Sequence, residues 1–328
     1  MKKMYSSDEV IGKILSGEKL ILAGDEELLA KLPAGNWIGG TIPYFMSENG
    51  GEFSKEKIFV DEIPDFAENI SIKEYDEFSL PGIADDEFNN GYSIIIIPSN
   101  SKIHFSFAEN SADYKNIFHS PLVGWVSGID LNDLGKKSPK VVNGKSGKVH
   151  TEKCVVMHIG LPADKVPVLD IINLFEQGEG DTITFESTGF SAEHCIVNGK
   201  KQNLAEYLLD NNIDTKLPFV ANYCGAMINT AFKLIEKENK RVHFYGPVFS
   251  GVEYKIAQPI KDYVKTFTSK ASELDVEPVF TCNCILNYIY SELEGKKTGT
   301  IKGPMTFGEI AYQLLNQTLV YLTIEDMG

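Results

Sequence analysis

Arginine is almost missing from this chain: Arg241 is its only guanidinium among 31 basic residues. Bidentate recognition of phosphate or carboxylate is thereby excluded as a general device, and lysine must do whatever anion binding there is. Cysteine is sparse and odd in number, five in 328 residues, which excludes a disulfide scaffold and points to a reducing compartment. The longest apolar run, Ile94 to Ile97, has the length of a buried strand and not of a membrane span. Met1-Lys-Lys-Met carries positive charge with no hydrophobic stretch behind it, so no signal peptide is expected and the location reads as cytoplasmic. Positive charge is short overall. With 46 acidic residues the formal charge is −15, a surface that repels nucleic-acid phosphates and anionic lipid. Neither nucleic acid nor membrane is an expected partner.

The common catalytic signatures are missing too. There is no Gly-x-x-x-x-Gly-Lys-Ser/Thr, no Gly-x-Gly-x-x-Gly, no Gly-x-Ser-x-Gly, no His-Glu-x-x-His and no Cys-x-x-Cys. The phosphate-loop, dinucleotide, serine-elbow and zinc chemistries those spacings serve lose their usual carriers.

What is present is ordinary globular material, 43% hydrophobic and 23% charged, long enough for two cored domains of about 100–200 residues each. Ser6 or Ser7 can cap a short helix with apolar positions Val10, Ile11, Ile14 and Leu15. Residues 93–98 are β-branched and apolar on both faces, which predicts a central strand in a covered sheet. Asn143-Gly144 and Asn198-Gly199 predict two tight hairpins. Strand and helix signals alternate irregularly with hairpins, so the class is mixed α/β (α+β), two related modules of largely antiparallel sheets flanked by helices. The polar stretch 176–181 marks the boundary, with 160–164 as the alternative, giving modules 1–175 and 176–328. Three stretches resemble one another: Trp37-Ile-Gly-Gly-Thr-Ile-Pro43, Leu122-Val-Gly-Trp-Val-Ser-Gly128 and Phe244-Tyr-Gly-Pro-Val-Phe-Ser-Gly251. Each is an apolar strand ending in small residues, the pattern of an internal duplication.

Cys282-Asn283-Cys284 is the most unusual local feature. On a strand its two sulfurs share a face about 7 Å apart, too far for a relaxed disulfide. Core packing, a metal site and a redox pair all remain open, and Cys224 could join them only through the fold. The six histidines show no helical metal spacing; His158 and His243 read as hydrogen-bonded core residues, and His119, on a loop before Pro121, is freest to act as an axial ligand. Trp37, Trp125 and Tyr245 stand near glycines and could floor a pocket. Glu309 could cap a helix, cap a nest of backbone N–H groups, or accept a ligand amine.

Pro278-Val-Phe-Thr-Cys282, then Gly303-Pro-Met-Thr-Phe-Gly-Glu-Ile310, then Asn316-Gln-Thr-Leu-Val-Tyr-Leu-Thr323 follow one another in an order that resembles the FIST sensory family. Ile196-Val-Asn-Gly-Lys200 with the helix to Tyr207, and the glycine turns at Gly39-Gly40 and Gly124, are similar to further family features, and the resemblance spans most of the chain. It implies a FIST N-terminal-like module over 1–175 and a C-terminal-like one over 176–328, holding a small, amino-acid-like ligand for bacterial signal transduction. Some family members bind haem and sense nitric oxide. The family's arginine after the Phe-Ser-Cys strand is replaced here by Asn283-Cys284-Ile285, which weakens charged recognition of an anion at that point.

The expectation is a stand-alone ligand-binding sensory protein without a cofactor, its output passing to a separate signalling partner. The pocket is expected where the glycine turns of the two halves converge. Its residues would be Trp37, Gly39, Gly40, Trp125, Cys224, Tyr245, Cys282, Cys284 and Glu309. Two alternatives stand: a haem gas sensor with His119 as axial ligand, and an enzyme with Cys282 or Cys284 as nucleophile.

Overall fold

A short helix set between two apolar strands is the motif from which most of this molecule is built, and it occurs three times. The computed structural model describes residues 2–223, 225–271, 273 and 277–327. Strand makes up 42% and helix 18%, so sheets carry the core of this mixed α/β fold.

The first repeat opens with edge strand β1 (Met4–Tyr5) and helix α1 (Ser7–Leu15), started by a Ser6–Glu9 capping box. Strand β2 (Leu20–Gly24) leads through α2 (Glu26–Leu29) into β3 (Trp37–Thr41), which lies parallel to β2. A hairpin of β4 (Tyr44–Ser47) and β5 (Gly50–Phe53) follows, and β6 (Ile58–Glu62) returns antiparallel beside β2.

The second repeat has the same order: β7 (Asn69–Tyr75), β8 (Gly91–Pro98), α3 (Lys102–Asn110), β9 (Leu122–Ser127), the hairpin β10 (Val141–Asn143) with β11 (Lys148–His150), and β12 (Cys154–Gly160). Strand β8 is buried along its whole length between β9 and β12, as its double-sided apolar character predicts. Helix α3 starts at Lys102 because the Ser101 side chain caps it, accepting from His104 N.

The third repeat begins with β13 (Lys165–Ile172) and is then interrupted. The insertion holds β14 (Ile183–Thr184), β15 (Gly189–Ala192), β16 (His194–Val197), β17 (Lys200–Asn203), α4 (Leu204–Asp210), β18 (Phe219–Tyr223), β19 (Ala226–Thr230), β20 (Phe232–Glu236), β21 (Arg241–Val248) and β22 (Tyr254–Ile256). It has its own core, centred on a cluster of Phe185, Phe219, Phe232, Phe244 and Tyr254. After α5 (Tyr263–Ala271) the repeat resumes with β23 (Phe280–Cys284), α6 (Ile285–Tyr290), β24 (Gly303–Thr306), β25 (Glu309–Ala311), β26 (Gln313–Leu315) and β27 (Leu319–Asp326).

In every repeat the two strands flanking the helix are parallel and the last strand pairs antiparallel with the first of them. The hairpins are exchanged. Strand β4 of the first repeat extends the third sheet beside β24, β10 of the second extends the first sheet beside β3, and β25 of the third extends the second sheet beside β9. The exchange closes into a cycle, so no repeat completes its own sheet.

This arrangement corrects two expectations. The chain does not divide into sequential halves: one compact unit comprises Met1–Ile172, Val264–Gln313 and Leu319–Gly328, the other Asn173–Tyr263 and Leu314–Thr318. The third relative of the β3 and β9 stretches is β24, not 244–251, which begins within β21 of the insertion and runs past its end. Asn198-Gly199 does turn tightly, with φ of 48° and 84°. In the other hairpin the left-handed residue is Gly147, at 69°, and Gly144 serves packing: a Cβ there would meet the Trp37 ring at 2.2 Å.

Candidate functional site

The three sheets of the repeat unit turn one face inward upon each other. Gly40 of the first sheet packs on Trp125 and Ile96 of the second, Phe45 and Phe59 stack between third and first, and the Cys282 thiol of the third donates to Gly124 O of the second at 3.2 Å. Within each βαβ unit one register pair lies at corresponding places: Ala23 with Gly40, Ile96 with Trp125, Cys284 with Thr306. Glycine, tryptophan and threonine thus occupy one structural position, and this breaks the symmetry of the repeats. Gly40 makes room for the indole, since a Cβ there would lie 2.6 Å from the Trp125 ring.

Glu309 lies directly opposite Trp125 on β25, fully buried, with the Thr306 hydroxyl 3.4 Å from its Oε1. Cys282 and Cys284 share a face of β23, as their spacing predicts, and both are buried thiols outside any disulfide. Burial, then the charges of Glu309 and Asp61, push the Cys282 thiol well above its ordinary range. A thiol so placed stays protonated, which removes the activation a nucleophile requires. Among the described residues no group of three or more His, Cys, Asp or Glu could hold a metal ion.

Five of the expected pocket residues therefore come together: Gly40, Trp125, Cys282, Cys284 and Glu309. Trp37 and Gly39 belong to the opposite face of their strand. There the Trp37 ring packs among Val10, Ile14, Leu22 and Val60 beneath α1, and its indole N–H donates to Pro33 O at 2.9 Å, so it is a core residue and not a pocket floor. Tyr245 lies on β21 in the inserted unit, with Lys233 Nζ 5.9 Å from its ring centre. Cys224 lies outside the described residues. His119 is an exposed loop residue whose Nδ1 is 3.9 Å from Glu87 Oε2.

Sequence reasoning passed over Lys3 and Asp61. Asp61 sits on the inward face of β6, and its carboxylate meets Lys3 Nζ at 2.7 Å and accepts the backbone N–H of Thr281. Burial pushes this carboxyl up while the ammonium pulls it back, and Asp61 in turn holds the Lys3 ammonium above its ordinary value. Lys3 borders a cavity of about 300 Å³ that is also lined by Lys2, Glu62, Pro64, Asp65, Glu277 and Pro278. One ion pair therefore separates the cavity from Cys282 and the central cluster. The signal was legible in principle: in Ile58-Phe-Val-Asp61 a lone carboxylate alternates onto the apolar side of a strand.

A second polar array is buried on the other face of the second sheet. His158 accepts or donates at both ring nitrogens, with Ser93 Oγ 2.8 Å from Nδ1 and Tyr75 OH 2.9 Å from Nε2. Tyr75 gives its single proton to Asp86 at 2.7 Å, and Asp86 is also paired with Lys73. With the tyrosine proton committed, Nε2 must carry hydrogen and Nδ1 must accept from Ser93. Burial lowers the imidazole to about 4, so it stays neutral and hydrogen-bonded in the core, as the sequence predicts.

The model of DUF6976, a family of unknown function, matches residues 5–325, and the chain belongs to that family. No curated protein and no solved structure matches it. Among the described residues no helix is long and apolar enough to cross a membrane.

Proposed function

We propose, for this member of a family of unknown function, that the Lys3 cavity binds a small zwitterion of amino-acid size as a sensory ligand. The observation that carries the reading is one cavity of about 300 Å³ bordered by both charge signs, with a buried ion pair in its wall. That volume lies at the small end of ligand sites, which run from about 300 Å³ upward. A ligand carboxylate can share the Lys3 ammonium with Asp61, and a ligand ammonium can meet Glu62, Asp65 or Glu277. Lysine is the available cation in a chain with one arginine. The resemblance to the FIST sensory modules supports the same reading, with output through a separate partner protein.

Sharing Lys3 alters the charge balance at Asp61, whose neighbours are Thr281 and Cys282 on β23. Occupancy would thereby reach the central cluster through one ion pair. Calorimetric titration with a panel of free amino acids tests the reading. Saturable binding by at least one of them is expected, weakened about tenfold or more in Lys3→Met and in Glu277→Gln. Failure of every amino acid to bind, or binding indifferent to both substitutions, overturns it.

A further inference from the structure

Glu87 just precedes β8, His119 and Ser120 just precede β9, and Tyr312 just follows β25, so the sheet gathers them at one end. The Glu87 side chain is only 4% exposed, and among the described residues its carboxylate meets no donor in good hydrogen-bond geometry, the nearby Ser120 hydroxyl relieving only part of its burial. A carboxylate taken out of water without a partner is costly, and its cost falls when a cation is supplied. His119 closes the outer side. Its ring is 66% exposed and lies 3.9 Å from Glu87 Oε2, with the Ser120 hydroxyl 3.3 Å from the same nitrogen. A ring that exposed can turn toward water without disturbing the core beneath it. Beside it the rings of Phe118 and Tyr312 meet at 5.2 Å, the former 58% exposed, and Tyr312 lies within the field of the Glu87 carboxylate.

We propose that Glu87 is the floor of a second ligand site that takes a small primary ammonium. The ammonium would replace the missing partner of the buried carboxylate, and the alkyl part would lie on Phe118 and Tyr312, whose ring faces favour an adjacent cation. His119 is the movable wall. Among the described residues no lysine or arginine pairs with Glu87, and His119 is charged only when protonated, so a simple amine fits better than an amino acid whose carboxylate would lack a fixed cation. The net charge of −15 raises the local concentration of cations. This site shares no residue with the Lys3 cavity and stands independently of it.

The test titrates n-butylammonium into the full chain, with n-butanol as the uncharged control. Saturable binding of the amine is expected in the parent protein and equally in Glu277→Gln, which removes an ammonium partner from the other cavity and leaves Glu87 untouched. Glu87→Gln, which keeps shape and removes charge, should weaken it about tenfold or more, and His119→Ala should leave it as tight or tighter. No saturable binding at millimolar amine, equal binding of n-butanol, or an unchanged affinity in Glu87→Gln would each overturn the proposal.

Discussion

Asp61 projects from the inward face of β6 with Lys3 Nζ at 2.7 Å and a backbone N–H from Thr281, whereas Glu87 lies ahead of β8 with only the Ser120 hydroxyl, among the described residues, to relieve its burial. Both carboxylates are almost fully withdrawn from water. Compensation from within the chain leaves Asp61 occupied, a partner with which a ligand must compete for Lys3. Glu87 instead lowers its cost by holding its proton. Desolvation lifts it to about 7, and the Ser120 hydroxyl offsets only part of that rise. Burial alone therefore says little about a carboxylate's role, and the nearest cation says most.

Removing Asp61's partner should have the largest effect. Lys3→Met leaves a buried charge alone and is expected to destabilise the fold by about 3–5 kcal/mol in urea unfolding. The double variant Lys3→Met with Asp61→Asn should recover much of that loss. A single variant as stable as the parent would erase the distinction between the two carboxylates.

The next effect belongs to Glu87 and depends on pH. Its folded value, about 7, lies above the ordinary 4.5, so the folded state binds the proton more tightly than the unfolded one. No penalty applies below pH 4.5. Between 4.5 and 7 stability should fall, reaching a loss of up to about 3 kcal/mol above pH 7. Glu87→Gln should abolish this slope, stabilising the protein at pH 8 but not at pH 4, as thermal unfolding across pH would report.

His158 supplies the opposite limb. Its folded value, about 4, lies below the ordinary 6.5, so its neutral form stabilises the fold fully above 6.5. That contribution, about 3 kcal/mol at most, is lost as pH falls from 6.5 to 4. Tyr75→Phe, which breaks the chain to Asp86, should change the acid limb while leaving the Glu87 slope intact. The smallest effect is a control in the inserted unit: Gly199→Ala, at φ 84°, should cost about 1–2 kcal/mol without altering either pH limb.

Much of the local structure was legible before any coordinates. The capping serine of α1, the doubly buried β8 and the Asn198-Gly199 turn each follow from chemistry within a few residues. The likeness of β3 and β9 was visible because both combine apolar residues with glycine. Strand β24 escaped because Pro304, Met305 and Thr306 fill the equivalent place with other residues of suitable size. The pairing of Cys282 with Glu309 was half legible: each stood out in its own segment, and only the exchanged strand β25 brings them together. Lys3 and Glu87 were passed over because the burial of a charge depends on what packs over it from distant parts of the chain, whereas Asp61 could have been read from its place in an apolar strand.

Composition and short-range pattern by themselves determined the mixed class, the dependence on lysine for anion binding, the free thiols and the positions of several turns, since these rest on residue chemistry and on periods of two or 3.6 residues. Tertiary structure alone decided the threefold repetition, the cyclic loan of hairpins and the partners of each buried charge. Those outcomes join residues far apart in the chain, 58 positions for Lys3 and Asp61 and more for the exchanged hairpins, and nothing local in the chain records which distant strand will lie alongside.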